Sequence, residues 1–343
     1  MRDLKNNLTT SGKGSTNIQS RRGKSFGYQI LGFGAGGARS PFIVATGGTI
    51  STVCTNYKVH TFTGNGTFTV CAVSATPALN VVDYTVVAGG GGGAANQGGG
   101  GGGGFRFYAN TPGNPQSGPA APINNYGASP NTEITVSATG YPITVGAGGV
   151  ASEEPYPGPG DGARGVNSVF STVTSTGGGG GSNGPTVATN SPGGSGGGGG
   201  NQPTSTGGLG NTPPVSPSQG TNGGSGLNGP NCNTGGGGGG ALVAGTAGTN
   251  FYQGGIGGAG GGLTGFGTTG QPSGGQYYFS GGGGANSIAP VGIYGAGGLG
   301  GGGASTGFGS GSAGTDNTGG GGGGGGASGA GGSGIVLIRY KFQ

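Results

Sequence analysis

Apolar and polar positions alternate with a period of two only in a few parts of the chain, and those parts predict strands. In residues 41–87, Phe42, Ile43 and Val44 form an apolar run, and Gly47 and Gly48 make a turn before 49–53. Residues 57–63 and 67–73 flank Gly64, Asn65 and Gly66, an Asn-Gly hairpin signal. Pairing Thr63 with Thr67 sets Phe62 against Phe68 and His60 against Val70 on one face, and Val59 against Cys71 on the other. Residues 81–87 predict a further strand. Residues 132–145 read as a second hairpin, 133–136 followed by 141–145, and 334–342 (GIVLIRYKF) as a closing strand lying beside 81–87.

Between these islands the apolar code stops, and composition takes over. Gly supplies 104 of 343 residues and Pro 20, while only 29% are apolar. One side-chain core on the scale usual for this length is excluded. The glycines come in solid blocks, at 89–93, 98–104, 177–181, 196–200, 235–240, 281–284, 300–303 and 319–326, with 257–262 broken once by Ala259. Collagen, which needs Gly at every third position, is therefore excluded. Fixing each backbone costs about 1–2 kcal/mol, most for Gly, so ordered runs demand a dense hydrogen-bond return. Polyglycine-II helices, with three residues per turn and N–H and C=O groups pointing outward, supply it when they lie side by side. Disorder is the competing reading of the same composition. The expected fold is mostly β and irregular with essentially no α-helix. A basic arm (1–39) precedes a small β-sheet region (40–88), then a polyglycine-II bundle with Pro/Asn/Ser/Thr-rich loops (89–343), closed by the strand at 334–342.

Charge is unevenly placed. The first 39 residues hold seven of the twelve basic residues and one acid, Asp3, although the whole chain carries only +5. Arg2, Lys5, Lys13, Arg21, Arg22 and Lys24 suit docking onto an acidic partner surface and lack the stacking aromatics of a single-strand nucleic-acid binder. A solvated terminus and nucleic-acid binding are the other two readings of the arm, and no nucleic acid is expected. No apolar stretch approaches a membrane span or a secretory core, so synthesis in the cytoplasm and no membrane insertion are expected.

Catalytic chemistry finds no residue set. The single histidine, His60, falls on a strand face beside Phe62. Glu153 and Glu154 are adjacent in a Pro-rich loop and make no positioned acid/base pair; with Asp161 they form at most a calcium loop, against the reading of a solvated turn. Cys54, Cys71 and Cys232 lack metal-site spacing and read as small buried hydrophobes, a Cys54–Cys71 disulfide being the alternative in an oxidising medium. No cofactor, metal or enzymatic activity is expected. Aromatic rings gather in the loops between Gly runs, at Phe105, Phe107, Tyr108, Phe251, Tyr252, Tyr277, Tyr278, Phe279 and Tyr294. They either cap the bundle's ends or contact a partner such as a host glycan or outer-membrane protein.

Four stretches carry a resemblance. KVHTFTGNGTFTV (58–70) leads into VVDYTVVAGGGGG (81–93); ITVGAGG (143–149) is followed by GVNSVFSTVTSTGGGGG (165–181); and GGSGIVLIRYKF (331–342) closes the chain. Over about 57–343 the sequence resembles the glycine-rich virion proteins of bacteriophages, particularly tail-fibre and adhesin-like proteins of marine tailed phages. That resemblance implies a polyglycine-II sandwich with host-recognition loops, a place in the virion among other virion proteins, release by lysis, and a homo-oligomer, a trimer by analogy. The basic arm is then the virion anchor. The alternatives are a capsid decoration or head-fibre protein, and a glycine-rich ice-binding or cell-wall structural protein.

Overall fold

A computed structural model describes residues 40–95, 97–109, 133–152, 160–184, 191–201, 205–229, 232–249, 252–287, 292–307 and 311–343. By contact it divides into a unit at Met1–Pro41 and a body at Phe42–Gln343. Arg2, Lys5, Lys13, Arg21, Arg22 and Lys24 of the arm lie outside the described residues, as do Phe251, Glu153 and Glu154.

The body is built of antiparallel sheets and glycine helices, with one 3-10 turn, Pro77–Asn80, and no α-helix among the described residues. A five-stranded sheet has the order β1 (Val44–Thr46), β4 (Gly66–Ala72), β8 (Gly140–Thr144), β9 (Ser168–Phe170), β10 (Val173–Ser175). A six-stranded sheet contains β2 (Thr49–Val53), β3 (Tyr57–Phe62), β16 (Ile335–Lys341), β5 (Val81–Val87) and β6 (Phe105–Tyr108), with β7 (Ile134–Thr135) also on β5. Smaller sheets are β11 (Leu227–Gly229) with β12 (Cys232–Thr234), and β13 (Gly261–Leu263) with β15 (Gln276–Phe279) and β14 (Gln271–Ser273).

β16 explains the layering. Its run IVLIRYK is buried on both faces, so it takes a central place, with Val336 opposite Phe62 on β3 and Ile335 opposite Val87 on β5. The expected pairing of 81–87 with the closing strand is thus the observed one. Even-numbered residues Val336, Ile338 and Tyr340 join Phe62, Tyr84 and Val86 in packing against Phe68, Val70, Ile143 and Phe170 of the five-stranded sheet. Odd-numbered Ile335 and Leu337 pack on the other face with Val59, Val87, Phe105, Phe107, Leu263, Phe266 and Phe279.

Both expected hairpins are corrected by this arrangement. β3 pairs with β2 and β16, whereas β4 pairs with β1 and β8, so Gly64–Gly66 carries the chain from one sheet to the other. The closing strand needs two covered edges and takes β3 as one neighbour. Phe62 and Phe68 still share a core, but across the sandwich rather than across a hairpin. Likewise β7 pairs with β5 and β8 with β4 and β9, not with each other.

The glycine runs form a lattice whose hydrogen bonds repeat every three residues. Gly89, Gly92 and Ala95 donate N–H groups to the carbonyls of Val166, Ala163 and Gly160; Gly90 and Gly93 donate to Gly332 and Gly329; Gly91 and Ala94 donate to Gly101 and Gly98. One neighbour is met per third of a turn, which is the threefold helix expected. The segment 98–104 is surrounded on all sides. Its N–H groups reach 176–182, 236–239 and 319–322, and its carbonyls accept from 88–94, 195–198 and Gly283, at 2.7–3.3 Å. The same bonding encloses 89–95, 235–240, 280–286 and 319–325, each with neighbours in six directions.

No side chain fits at these contacts. A Cβ on Gly91 would strike the carbonyl of Gly179, one on Gly100 that of Gly91, one on Gly238 that of Gly100, and one on Gly283 that of Gly322, each well inside 3.0 Å. At the lattice perimeter one position in three opens outward and carries a side chain: Ala147 and Val150, Ile256 and Ala259, or Ile293 and Ala296.

Candidate recognition surface

One perimeter facet combines flatness, apolar side chains and absence of charge. It consists of segments 243–249, 253–260 and 292–299. The middle segment is bonded beneath to 235–240 and 280–286, through Gly255 N–H to Gly235 O and Gly282 N–H to Gly258 O, and its outer side meets no described segment and exposes Ile256. Cross-bonds hold the three segments in register: Val243 N–H to Ala259 O (3.1 Å), Thr246 N–H to Ile256 O (3.0 Å), Thr249 N–H to Gln253 O (3.0 Å), Gly254 N–H to Ile293 O, and Gly257 N–H to Ala296 O (both 2.9 Å).

These bonds align side chains in rows. Thr249, Gln253 and Ile293 form one, Thr246, Ile256 and Ala296 the next, and Val243, Ala259 and Leu299 the third. Along each segment the repeat is three residues, about 9 Å at the rise of this helix. Val243 is 51% exposed, Ile256 40%, Ile293 59% and the neighbouring Tyr294 38%, yet no Lys, Arg, Asp or Glu occurs in the three segments. Their rigidity comes from backbone bonds, so the apolar groups are displayed without a side-chain core behind them.

The sequence-predicted aromatics divide sharply. Phe105, Phe107 and Tyr108 are not in a loop; they form β6 and are buried, as are Phe279 and nearly all of Tyr278 on β15. Tyr277 is half-buried against the same core. This corrects the placement of these rings in exposed loops and favours a structural role for them: Phe105, Phe107 and Phe279 cover the face of the six-stranded sheet that looks away from the sandwich, whereas Tyr108 stacks on Tyr84 inside it. Of the described aromatics in the predicted set, Tyr294 alone is exposed and lies in the facet; Tyr252, partly buried, immediately precedes its middle segment and accepts the Ile293 N–H at its carbonyl (2.9 Å). Tyr252 has φ +59°, an uncommon backbone conformation for a bulky residue.

Other polar groups act within the fold. Arg339 and Asp83, directly opposite on β16 and β5, form a buried ion pair at 2.6 Å (Nη2 to Oδ2), with Nε at 3.1 Å from the same oxygen. Arg339 also donates to Gly265 O at 2.8 Å and lies over the Phe266 ring at 4.4 Å. Sequence reading missed this pair, although an Arg inside GIVLIRYKF and an Asp inside VVDYTVV were its signal once the two strands were set antiparallel.

His60 is wholly buried. Its Nδ1 lies 2.7 Å from Gly47 O and Nε2 3.1 Å from the Tyr340 hydroxyl, which requires Nδ1–H to donate and Nε2 to accept. Burial pulls the imidazole below its ordinary pKa and pushes the Tyr340 phenol up to about 12. Cys54 and Cys71 are free thiols at the surface, against the expectation of buried hydrophobes, and they sit beside different sheets. Asp161 accepts the Asn183 N–H at 2.7 Å, capping a lattice segment. Among the described residues no three His, Cys, Asp or Glu side chains gather as metal ligands, and no helix is long and apolar enough to cross a membrane.

The model of one family, described as a glycine-rich domain, matches residues 62–341. The chain belongs to the glycine-rich domain family. The match opens at the last residue of β3 and ends at the last residue of β16, so the glycine-rich domain takes in the whole lattice together with the strand that closes it. β1, β2 and most of β3 precede it. No curated protein matches the chain.

Proposed function

We propose that this glycine-rich domain protein is a non-enzymatic structural component of a bacteriophage virion, a tail fibre or similar appendage in which the lattice displays a surface for host recognition. The observation that carries the reading is the uncharged facet of Val243, Ile256, Ile293 and Tyr294, held rigid by backbone bonds. A neutral, flat face with apolar groups, a tyrosine and Thr and Gln side chains suits a host-surface glycan or an outer-membrane protein rather than nucleic acid. The arm at 1–39, with most of the basic charge, serves as the anchor to other virion proteins.

Imaging purified virions with this protein labelled tests the location: label on tails supports the appendage, and label on heads supports a capsid decoration or head fibre instead. Deleting 1–39 is expected to leave a soluble body that is missing from particles, and incorporation at normal copy number would refute the anchor. Ile256→Asp with Tyr294→Ser is expected to abolish adsorption with the melting curve unchanged. A second reading, ice binding, draws support from the regular rows that include Thr246, Thr249, Ala259 and Ala296. Thermal hysteresis of the purified protein, lost in Thr246→Tyr, distinguishes it.

A further inference from the structure

β2 is the outermost strand of the six-stranded sheet, and no described strand pairs with its outer edge. Thr49–Val53 pairs only with β3, through Thr49↔Thr61 to Val53↔Tyr57. Four of its five residues are exposed, and Ile50 keeps 45% of its surface open. On the side away from β3 its N–H and C=O groups meet no partner among the described residues. Folded proteins blunt such edges with Lys, Pro, a bulge or an inward charge. β2 carries none of them: its register on β3 is unbroken, and residues 42–53 read FIVATGGTISTV, without a charge or a proline, the register shift in this stretch lying in β1 between Val44 and Ala45. The sequence is instead rich in Thr, Ile and Val, which favour strand pairing. β1, joined to β2 through Gly47 and Gly48, is likewise the edge of its own sheet and exposes Val44 at 48%. This side of the sandwich therefore presents two uncharged edges, and both precede the family match.

We propose that β2 is a self-association edge at which a second copy of this chain adds its own β2 in antiparallel pairing about a two-fold axis. A free strand edge calls for a strand, because only extended backbone meets alternating N–H and C=O groups. Two identical strands related by a two-fold axis are complementary by construction. Centring the axis on Ser51 pairs all five residues, Thr49 with Val53 and Ile50 with Thr52 of the other copy. Ile50 of each copy then lies beside the other's Thr52 on the face that looks into the sandwich, where it gains cover. No like charges oppose each other in this register. Five ladder residues bury less than the roughly 800 Å² per partner of a standard interface, so the association is weak and concentration-dependent.

The test uses the full chain. Sedimentation is expected to give a mass rising with concentration from 31.6 kDa toward twice that value. Ile50→Lys should hold the protein at monomer mass without lowering its melting temperature, since the side chain already reaches solvent. For a chemical readout, Ser51→Cys is placed in a Cys54→Ser, Cys71→Ser, Cys232→Ser background, so that it is the single thiol of the chain. Directly opposed antiparallel residues have Cα atoms about 4.5–5.5 Å apart, within the range a disulfide spans. Oxidation should give a covalent dimer that the background alone does not form. A monomer at every concentration with no cross-link, a trimer that persists in Ile50→Lys, or an open-ended ladder of cross-linked species would each overturn the proposal.

Discussion

The strand at Ile335–Lys341 and the segment at 319–325 are only ten residues apart, both are buried, and they achieve burial by opposite means. The strand excludes water with side chains: Ile335, Val336, Leu337 and Ile338 are each 0% exposed and fill two cores. The glycine segment excludes water by having none. Its neighbours press so close that a Cβ on Gly321 would strike the carbonyl of Gly100, and its stability rests on N–H to C=O bonds in several directions. A side-chain core tolerates loss of volume at graded cost, because its neighbours relax into the space. A backbone core cannot relax around an added atom without breaking the bonds that hold it. The two regions should therefore respond in opposite ways to small-to-large and large-to-small substitution.

The largest effect is expected from adding bulk to the lattice. Gly100→Val should leave no cooperative melting transition by circular dichroism, because its side chain enters the segment bonded to 91, 283 and 322. Phe68→Ala, the matching insult to the side-chain core, should fold with a loss of about 3–5 kcal/mol. If Gly100→Val melts near the wild type, the lattice is looser than its contacts and the comparison fails. Next comes the ion pair within the sandwich. Asp83→Ala strands the Arg339 guanidinium in a buried site, at an expected cost of about 3–5 kcal/mol by denaturant unfolding. The double change Asp83→Leu, Arg339→Met should recover most of that loss, since no charge is left unpaired.

Acid and base sharpen the contrast, because the enclosed lattice segments contain no titratable side chain. His60, with its pKa lowered by burial, contributes stability that is present above about 6.5, its unfolded value, and is lost as pH falls through the folded pKa. Tyr340, raised to about 12, contributes stability that is present below about 10 and is lost as pH rises from there through 12. The acid limb should disappear in His60→Gln, and the alkaline limb should shrink in Tyr340→Phe to the part that Tyr57, also raised by burial, contributes, each measured by unfolding across pH. The slope that each group adds is at most about 1.4 kcal/mol per pH unit. Amide exchange in 98–104 should follow only the global change.

Much of this division was legible in the sequence. The solid Gly blocks at 98–104, 235–240 and 319–326 coincide with enclosed segments because a Cβ at their glycines would strike a neighbouring backbone, and side chains enter the enclosed segments only near the ends of the runs, as at Ala94 and Ala285. Perimeter segments such as 254–259 (GGIGGA) betray themselves by one side chain in three. The closing strand and its pairing with β5 followed from a continuous apolar run that needs two neighbours. What could not be read was which sheet each strand joins. The Asn-Gly loop after Phe62 looks the same whether it turns a hairpin or crosses a sandwich, and the outcome depends on β16, more than 270 residues away. The aromatics were misplaced for a related reason. Phe105 and Phe107 follow a glycine run and look like loop residues until the outer face of the six-stranded sheet is known to need covering.

The smallest expected effect separates glycine as a contact from glycine as a residue. Gly64 lies in the loop between β3 and β4, is exposed, does not adopt a left-handed φ, and would place a new Cβ with nothing within 4 Å. Gly64→Ala therefore adds a methyl group without strain and removes backbone freedom from the unfolded chain. It should raise stability by about 0.4–1 kcal/mol, seen as a higher denaturant midpoint at unchanged slope. Gly100→Ala makes the same chemical change where the Gly91 carbonyl already occupies the space, and it should destabilise. Opposite signs for one substitution at two glycines would locate the special property of this composition in the contacts between backbones. If both sites lose stability alike, the cause lies in glycine's own conformational preferences, and the lattice account of the Gly runs would have to be abandoned.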